Sequence, residues 1–242
     1  MAGKNYRGVV SSSMEEAIVE RHPLFGRIHH WCHALLMLLL GLTGWQIYSG
    51  IPIFGCFEVA RAIHMLAAIT IAIWDLPVQF SYLAITGELR DVLPSKDDIR
   101  FQMAAIMNFA RMSRVYPAYS IYDPKYGRYF RKYNAGQKLL FWLDIIALLI
   151  IGVTGLAMYL PNIFSPLIEA FWWIGGLAFM RAVHYFILWY FIATTAAHIY
   201  LGAIPVNWEH FKSIFTGKCR EEAKPGITKA IAEIEAITVR RK

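Results

Sequence analysis

Four apolar runs, separated by charged stretches, dominate the pattern along this chain. They cover about His30 to Ile51, Ala60 to Leu83, Leu139 to Leu160 and Ala178 to Ile204. Each is close to the 17–25 residues that carry a helix across a bilayer, so the pattern predicts four membrane-spanning helices. The first run follows a mostly polar stretch with no small-residue cleavage site after it, which predicts a retained helix rather than a signal peptide. Between the second and third runs, DDIRFQMAAIMNFARMSRVY mixes Ile99, Met103, Ile106 and Met107 with basic residues. That mixture predicts a helix on the inner membrane face, against a partner, or simply within a loop. Pro117, Pro124 and Gly127 then predict irregular chain. The tail after Pro225 reads as a soluble helix.

Composition agrees with lipid as the solvent. Of 242 residues, 57% are hydrophobic and only 17% charged, more apolar surface than a chain of this size hides in one soluble core. A net charge of +7 does not point to nucleic acid, because the charge flanks apolar spans instead of forming a soluble basic face. Lys and Arg number four in residues 1–30, ten in 83–138 and eight in 206–242. The positive-inside bias therefore puts both termini and the central segment in the cytoplasm, the protein being a multi-pass inner-membrane chain. Trp45, Trp172 and Trp173 suit an outer aromatic belt, and Trp31, Trp142 and Trp208 an inner one. The reading divides the chain into a cytoplasmic segment at 1–27, a four-helix domain at 28–205 with a cytoplasmic segment at about 84–136, and a tail at 206–242.

Three isolated cysteines, Cys32, Cys56 and Cys219, form no C-x-x-C pair, which sets aside covalent haem, a thiolate zinc site and an iron–sulfur cluster. Histidine carries the chemistry instead. Of the eight histidines, six fall in or at the edge of spans, where an ionisable group without a function is expensive. His184 and His198 lie 14 residues apart on the fourth run. At 100° and 1.5 Å per residue they share a face, separated by roughly 21 Å along the axis. His64 opens the second run at the depth of His184, and His30 opens the first at the depth of His198. Two bis-histidine sites stacked in a bundle suit two b-type haems, with His30, His198, His64 and His184 as metal ligands.

RIHH, RAIH and RAVH place Arg27, Arg61 and Arg181 three residues before a candidate ligand, where a guanidinium can meet a haem propionate. For Arg27, snorkelling to the inner interface explains the position equally well. Gly41, Thr43-Gly44, Gly152 and Thr154-Gly155 make room either for a macrocycle or for close helix packing. Taken singly, a histidine in a span is also a hydrogen-bonded packing residue, and His33, one turn from His30, rivals it for the inner site. His22, His29 and His210 read as interfacial. Asp75 and Asp144 read either as proton carriers or, in the simpler reading, as solvated helix ends.

These residues resemble a known family, the di-haem cytochrome b (gamma) subunit of membrane-bound formate dehydrogenase, in the group that includes the cytochrome b subunits of nickel–iron hydrogenases. The resemblance covers about residues 21–220. It rests on RIHHW followed by LTG at 42–44, ARAIH at 60–64, KYNAGQKLLFW at 132–142 followed by VTG at 153–155, H-x13-H continuing into IYLGA, and FKSIFTGK at 211–218. KYNAGQK tilts the reading to the formate dehydrogenase side of the group.

The resemblance implies an all-α membrane protein, a four-transmembrane-helix bundle with two stacked b-type haems. His30 rather than His33 pairs with His198 at the inner haem, and His64 with His184 at the outer one. It implies a quinone pocket beside the inner haem, menaquinone or ubiquinone being the substrate, with Asn134, Gly136 and Gln137 as contacts. On composition alone Asn134 reads as a helix cap. The implied partners are an iron–sulfur electron-transfer subunit and a molybdenum or tungsten catalytic subunit, so the chain carries electrons and is not catalytic alone. The long central segment and the tail after FTGK depart from the family pattern and leave the catalytic complex open. A hydrogenase, another molybdenum or iron–sulfur reductase running from quinol, and a non-redox anchor or transporter are the alternatives.

Overall fold

The computed structural model describes residues 15–112, 121–123 and 128–223. The predicted irregular stretch with Pro117, Pro124 and Gly127, and the predicted tail helix, lie outside the described residues. The chain divides into two compact units, residues 21–93 with 136–217, and residues 1–20 with 94–135 and 218–242.

The first of these units holds the four apolar helices. Helix α1 (Leu24–Ser49) ends on Gly50, whose φ of 75° gives the left-handed turn that closes a helix. Buried Gln46 fixes the connection that follows: its amide donates to the Gly55 carbonyl at 2.8 Å and accepts from the backbone of Ile53 and Phe54 at 3.0 and 2.7 Å. Helix α2 (Phe57–Ile73) runs through a wider π-type turn at Trp74–Val78 into α3 (Gln79–Thr86), giving one 30-residue apolar span. The turn contains Pro77, which has no N–H for an ordinary helical bond and whose ring crowds the turn before it. The wider turn absorbs the misfit, so the helix continues where proline usually ends one.

A short helix, α4 (Leu89–Val92), follows, and Trp142 and Lys138 donate to the carbonyls of Val92 and Leu93. Helices α6 (Ala135–Tyr159) and α8 (Leu177–Ala203) are the third and fourth spans, linked through the six-residue α7 (Ser165–Ala170). Helix α9 (Trp208–Thr216) closes the unit, with the backbone N–H groups of Arg21 and His22 donating to the Gly217 carbonyl. The four predicted spans are all present, their ends falling within a few residues of the apolar runs.

In the other unit, helix α5 (Lys96–Phe109) starts at a capping box between Ser95 and Asp98. Phe101 packs in the unit's small core with Ala135, while Ile99, Met103 and Ile106 are exposed. The predicted all-α fold needs one correction here, since the described residues include a four-stranded sheet. Strands β1 (Glu15–Glu20), β2 (Ile121–Asp123), β3 (Arg128–Arg131) and β4 (Lys218–Ala223) lie in the order β1-β4-β2-β3. β4 runs antiparallel to β1, facing Cys219 with Val19, both buried, and parallel to β2. The sheet therefore joins the segment before α1, the segment between the second and third spans, and the segment after the fourth. Two apolar helices separate each of these segments from the next along the chain.

Candidate functional site

Four histidines from α1, α2 and α8 meet as two facing pairs. The rings of His64 and His184 have centroids 6.4 Å apart, and those of His30 and His198 are 6.2 Å apart. Imidazoles that hold one metal ion end-on from opposite sides, with metal–nitrogen bonds of about 2 Å, place their centroids about 6.3 Å apart. Both pairs match that spacing, and the donor set of each pair is two imidazoles. Among the described residues no group of three or more His, Cys, Asp or Glu is arranged to hold a metal ion. Two facing imidazoles are a donor set that would fit a haem iron, and each pair supplies one such set.

Each ring of the pair His64–His184 is oriented from a neighbouring helix. His64 Nδ1 lies 2.9 Å from Thr43 Oγ1, and His184 Nδ1 lies 3.2 Å from Thr154 Oγ1 and 3.0 Å from the Ile151 carbonyl. A ring nitrogen held by such acceptors turns the opposite nitrogen into the available donor. Gly44 and Gly155, expected to leave space for a macrocycle or a neighbouring helix, lie against rings carried by neighbouring helices. A Cβ on Gly44 would lie 3.4 Å from His64 Cε1, and one on Gly155 only 3.1 Å from His184 Cε1. Gly41 and Gly152 border open space.

The pair His30–His198 has different surroundings. His30 Nδ1 is buried with no hydrogen-bond partner among the described residues. His33, its rival in the sequence, donates from Nδ1 to Asp75 Oδ2 at 2.7 Å. His29 stacks on Trp74 with planes 7° apart, donates from Nε2 to the Trp74 carbonyl at 3.2 Å, and lies 3.4 Å from Asp75 Oδ1. Asp75 is thus buried inside a span between two imidazoles, and its simpler reading as a solvated helix end is corrected. The π-type turn explains this, because it carries the helix past Pro77 and keeps Asp75 under cover. Asp144, half-buried, accepts a hydrogen bond from the Tyr190 hydroxyl at 2.8 Å.

The arginines divide. Arg27 donates from Nη1 to the Phe215 carbonyl at 2.8 Å, near the end of α9. Arg61 is exposed over the rings of Phe57 and Tyr159, and Arg181 is exposed three residues before His184. Asn134 directly precedes α6, while Gly136 and Gln137 lie in its first turn. Sequence reasoning missed Thr43 and Thr154 as histidine partners. Its available signal was the Thr-Gly pair repeated in the helix before each of these histidines.

The sequence profile of prokaryotic cytochrome b561 matches residues 21–217. Among curated proteins, the chain is similar to the F420 non-reducing hydrogenase II cytochrome subunit of Methanosarcina mazei, with 28% identity over 221 residues, 82% of this chain and 81% of that protein. It is also similar to the formate dehydrogenase cytochrome b556 subunit of Haemophilus influenzae, with 28% identity over 144 residues, 57% of this chain and 53% of that protein.

Proposed function

The chain belongs to the prokaryotic cytochrome b561 family, and we propose that it is the membrane cytochrome b subunit of a respiratory oxidoreductase, carrying electrons between an iron–sulfur partner and a membrane quinone. The observation that carries this reading is the pair of histidine couples at metal-bridging distance, 6.2 and 6.4 Å between centroids. His30 with His198, and His64 with His184, would hold two haems b. Haem b bound at these positions supplies reversible one-electron transfer.

The protein's own part is position and tuning. Thr43, Thr154 and the Ile151 carbonyl orient the His64 and His184 rings. Exposed Arg61 and Arg181 are placed to meet propionates at that level, and the hold of α9 on Arg27 leaves the rest of its guanidinium for the same purpose. Asn134, Gly136 and Gln137 at the start of α6 are the quinone contacts, and Asp75 and Asp144 are candidates for passing protons toward quinone. The termini and the central segment face the cytoplasm, by the distribution of Lys and Arg.

The test is a reduced-minus-oxidised visible spectrum of the detergent-purified chain. A b-type signal with two haems per chain is expected, and its absence would leave a non-redox anchor or transporter as the reading. For the catalytic partner, KYNAGQK favours a formate dehydrogenase, whereas the longer alignment favours a hydrogenase. Co-purification from native membranes and identification of the attached subunits decides between them.

A further inference from the structure

We propose that Thr43 and Thr154 are positioning residues that fix the tautomer and the donor strength of His64 and His184, and thereby set the redox potential of the haem those two rings would hold. The inference rests on the haem reading above and extends it to residues that bind no cofactor themselves.

The argument follows the single proton of each hydroxyl. Thr43 Oγ1 lies 2.7 Å from the Leu39 carbonyl, and Thr154 Oγ1 lies 2.8 Å from the Ile150 carbonyl, four residues back on the same helix. A hydroxyl that donates there offers only lone pairs to a second partner. Those lone pairs face His64 Nδ1 at 2.9 Å and His184 Nδ1 at 3.2 Å. The Ile151 carbonyl, 3.0 Å from His184 Nδ1, can only accept and so fixes the proton of that ring on Nδ1, and the matching arrangement at Thr43 assigns the same tautomer to His64. Nε2 is then unprotonated in both rings.

Back-bonding alone is ordinary for a threonine in a membrane helix, and the exposed Thr70 does it with the Leu66 carbonyl. What sets Thr43 and Thr154 apart is the second partner, and its recurrence. Thr-Gly on α1 serves His64 in the next span, and Thr-Gly on α6 serves His184 in the next span, each histidine closing an Arg-Ala-x-His sequence. Both threonines are buried, at 0% and 5% exposure, so water does not compete for the bond. His30 Nδ1, in the other pair, is buried with no such partner. An acceptor on Nδ1–H makes the imidazole a stronger donor, which favours the oxidised iron.

The experiment is a potentiometric titration of Thr43→Val, Thr154→Val, Thr43→Ser and Thr154→Ser in the full chain. Thr70→Val serves as control, and His64→Ala identifies the wave that belongs to this pair. Each valine variant is expected to raise the potential of that wave, Thr43→Val by roughly a two- to tenfold change in the reduction equilibrium, the worth of one hydrogen bond, and Thr154→Val by less, because the Ile151 carbonyl still accepts from His184 Nδ1. The other wave stays in place, and the serine variants and Thr70→Val titrate as the parent. An unmoved wave, equal movement of both waves, or serine behaving as valine overturns the inference. If a valine variant loses the haem entirely, the serine variant decides, parent-like retention supporting the proposal and equal loss overturning it. A parent chain without b-type haem would instead defeat the functional reading itself.

Discussion

Gly155→Ala probes the tightest approach around the histidines. The added methyl would lie 3.1 Å from His184 Cε1 and 3.5 Å from its Nδ1. Carbon atoms settle at about 3.5–4.0 Å, so the ring must retreat by about half an ångström. Retreat is opposed by the bonds from Nδ1 to Thr154 and the Ile151 carbonyl. Overpacking of this kind costs about 1–3 kcal/mol, which is roughly five- to hundredfold in an equilibrium. Gly44, its counterpart against the other ring, would place its Cβ 3.4 Å from His64 Cε1, close to ordinary contact, and gives the matched comparison. The assay is transfer of haem from the purified chain to an excess of an apo-protein acceptor, followed optically. Faster loss of haem in Gly155→Ala than in Gly44→Ala is expected. Equal rates in the two variants would refute the steric reasoning.

His30→Ala and His198→Ala should each abolish the same potentiometric wave, while His33→Ala abolishes neither; loss with His33→Ala alone would reassign the ligand. Asp75→Asn keeps one acceptor for the His33 Nδ1–H but removes the negative charge and turns an amide NH2 toward the His29 Nε2–H, donor against donor. It should cost about 1–3 kcal/mol, read as a lower midpoint of thermal unfolding in detergent. Ending the chain after Gly217 removes β4, which separates β1 from the β2–β3 hairpin. Limited proteolysis should then cut within residues 121–131, and protection equal to the parent would count against the sheet.

The spans were legible because crossing lipid requires some twenty consecutive apolar residues, and nothing else in a chain of this size produces four such runs. The facing of His184 and His198 followed from helical periodicity alone. The sheet was not legible for the opposite reason. Its strands are three to six residues long, and β1 (EEAIVE) and β4 (KCREEA) are charged. They pair across some two hundred residues of intervening chain, so no local turn announces them. Asp75 was misread because an acidic residue toward the end of an apolar run is cheapest in water, and the imidazoles of His29 and His33 that cover it stand on another helix. The absorbing turn is a backbone property that residue types do not encode. Thr43 and Thr154 were visible only as small neighbours of glycine. Their hydroxyls gain meaning from which ring stands opposite, and that is a three-dimensional fact.

The position of β4 also fixes an order of events during synthesis. As an inner strand of the sheet, it is flanked by β1 and β2, yet the ribosome makes it only after all four crossings. Until then the earliest strand and the hairpin have nothing to join. The sheet can close only on a chain whose four apolar helices have all been made, so its closure reports that the last of them has left the ribosome.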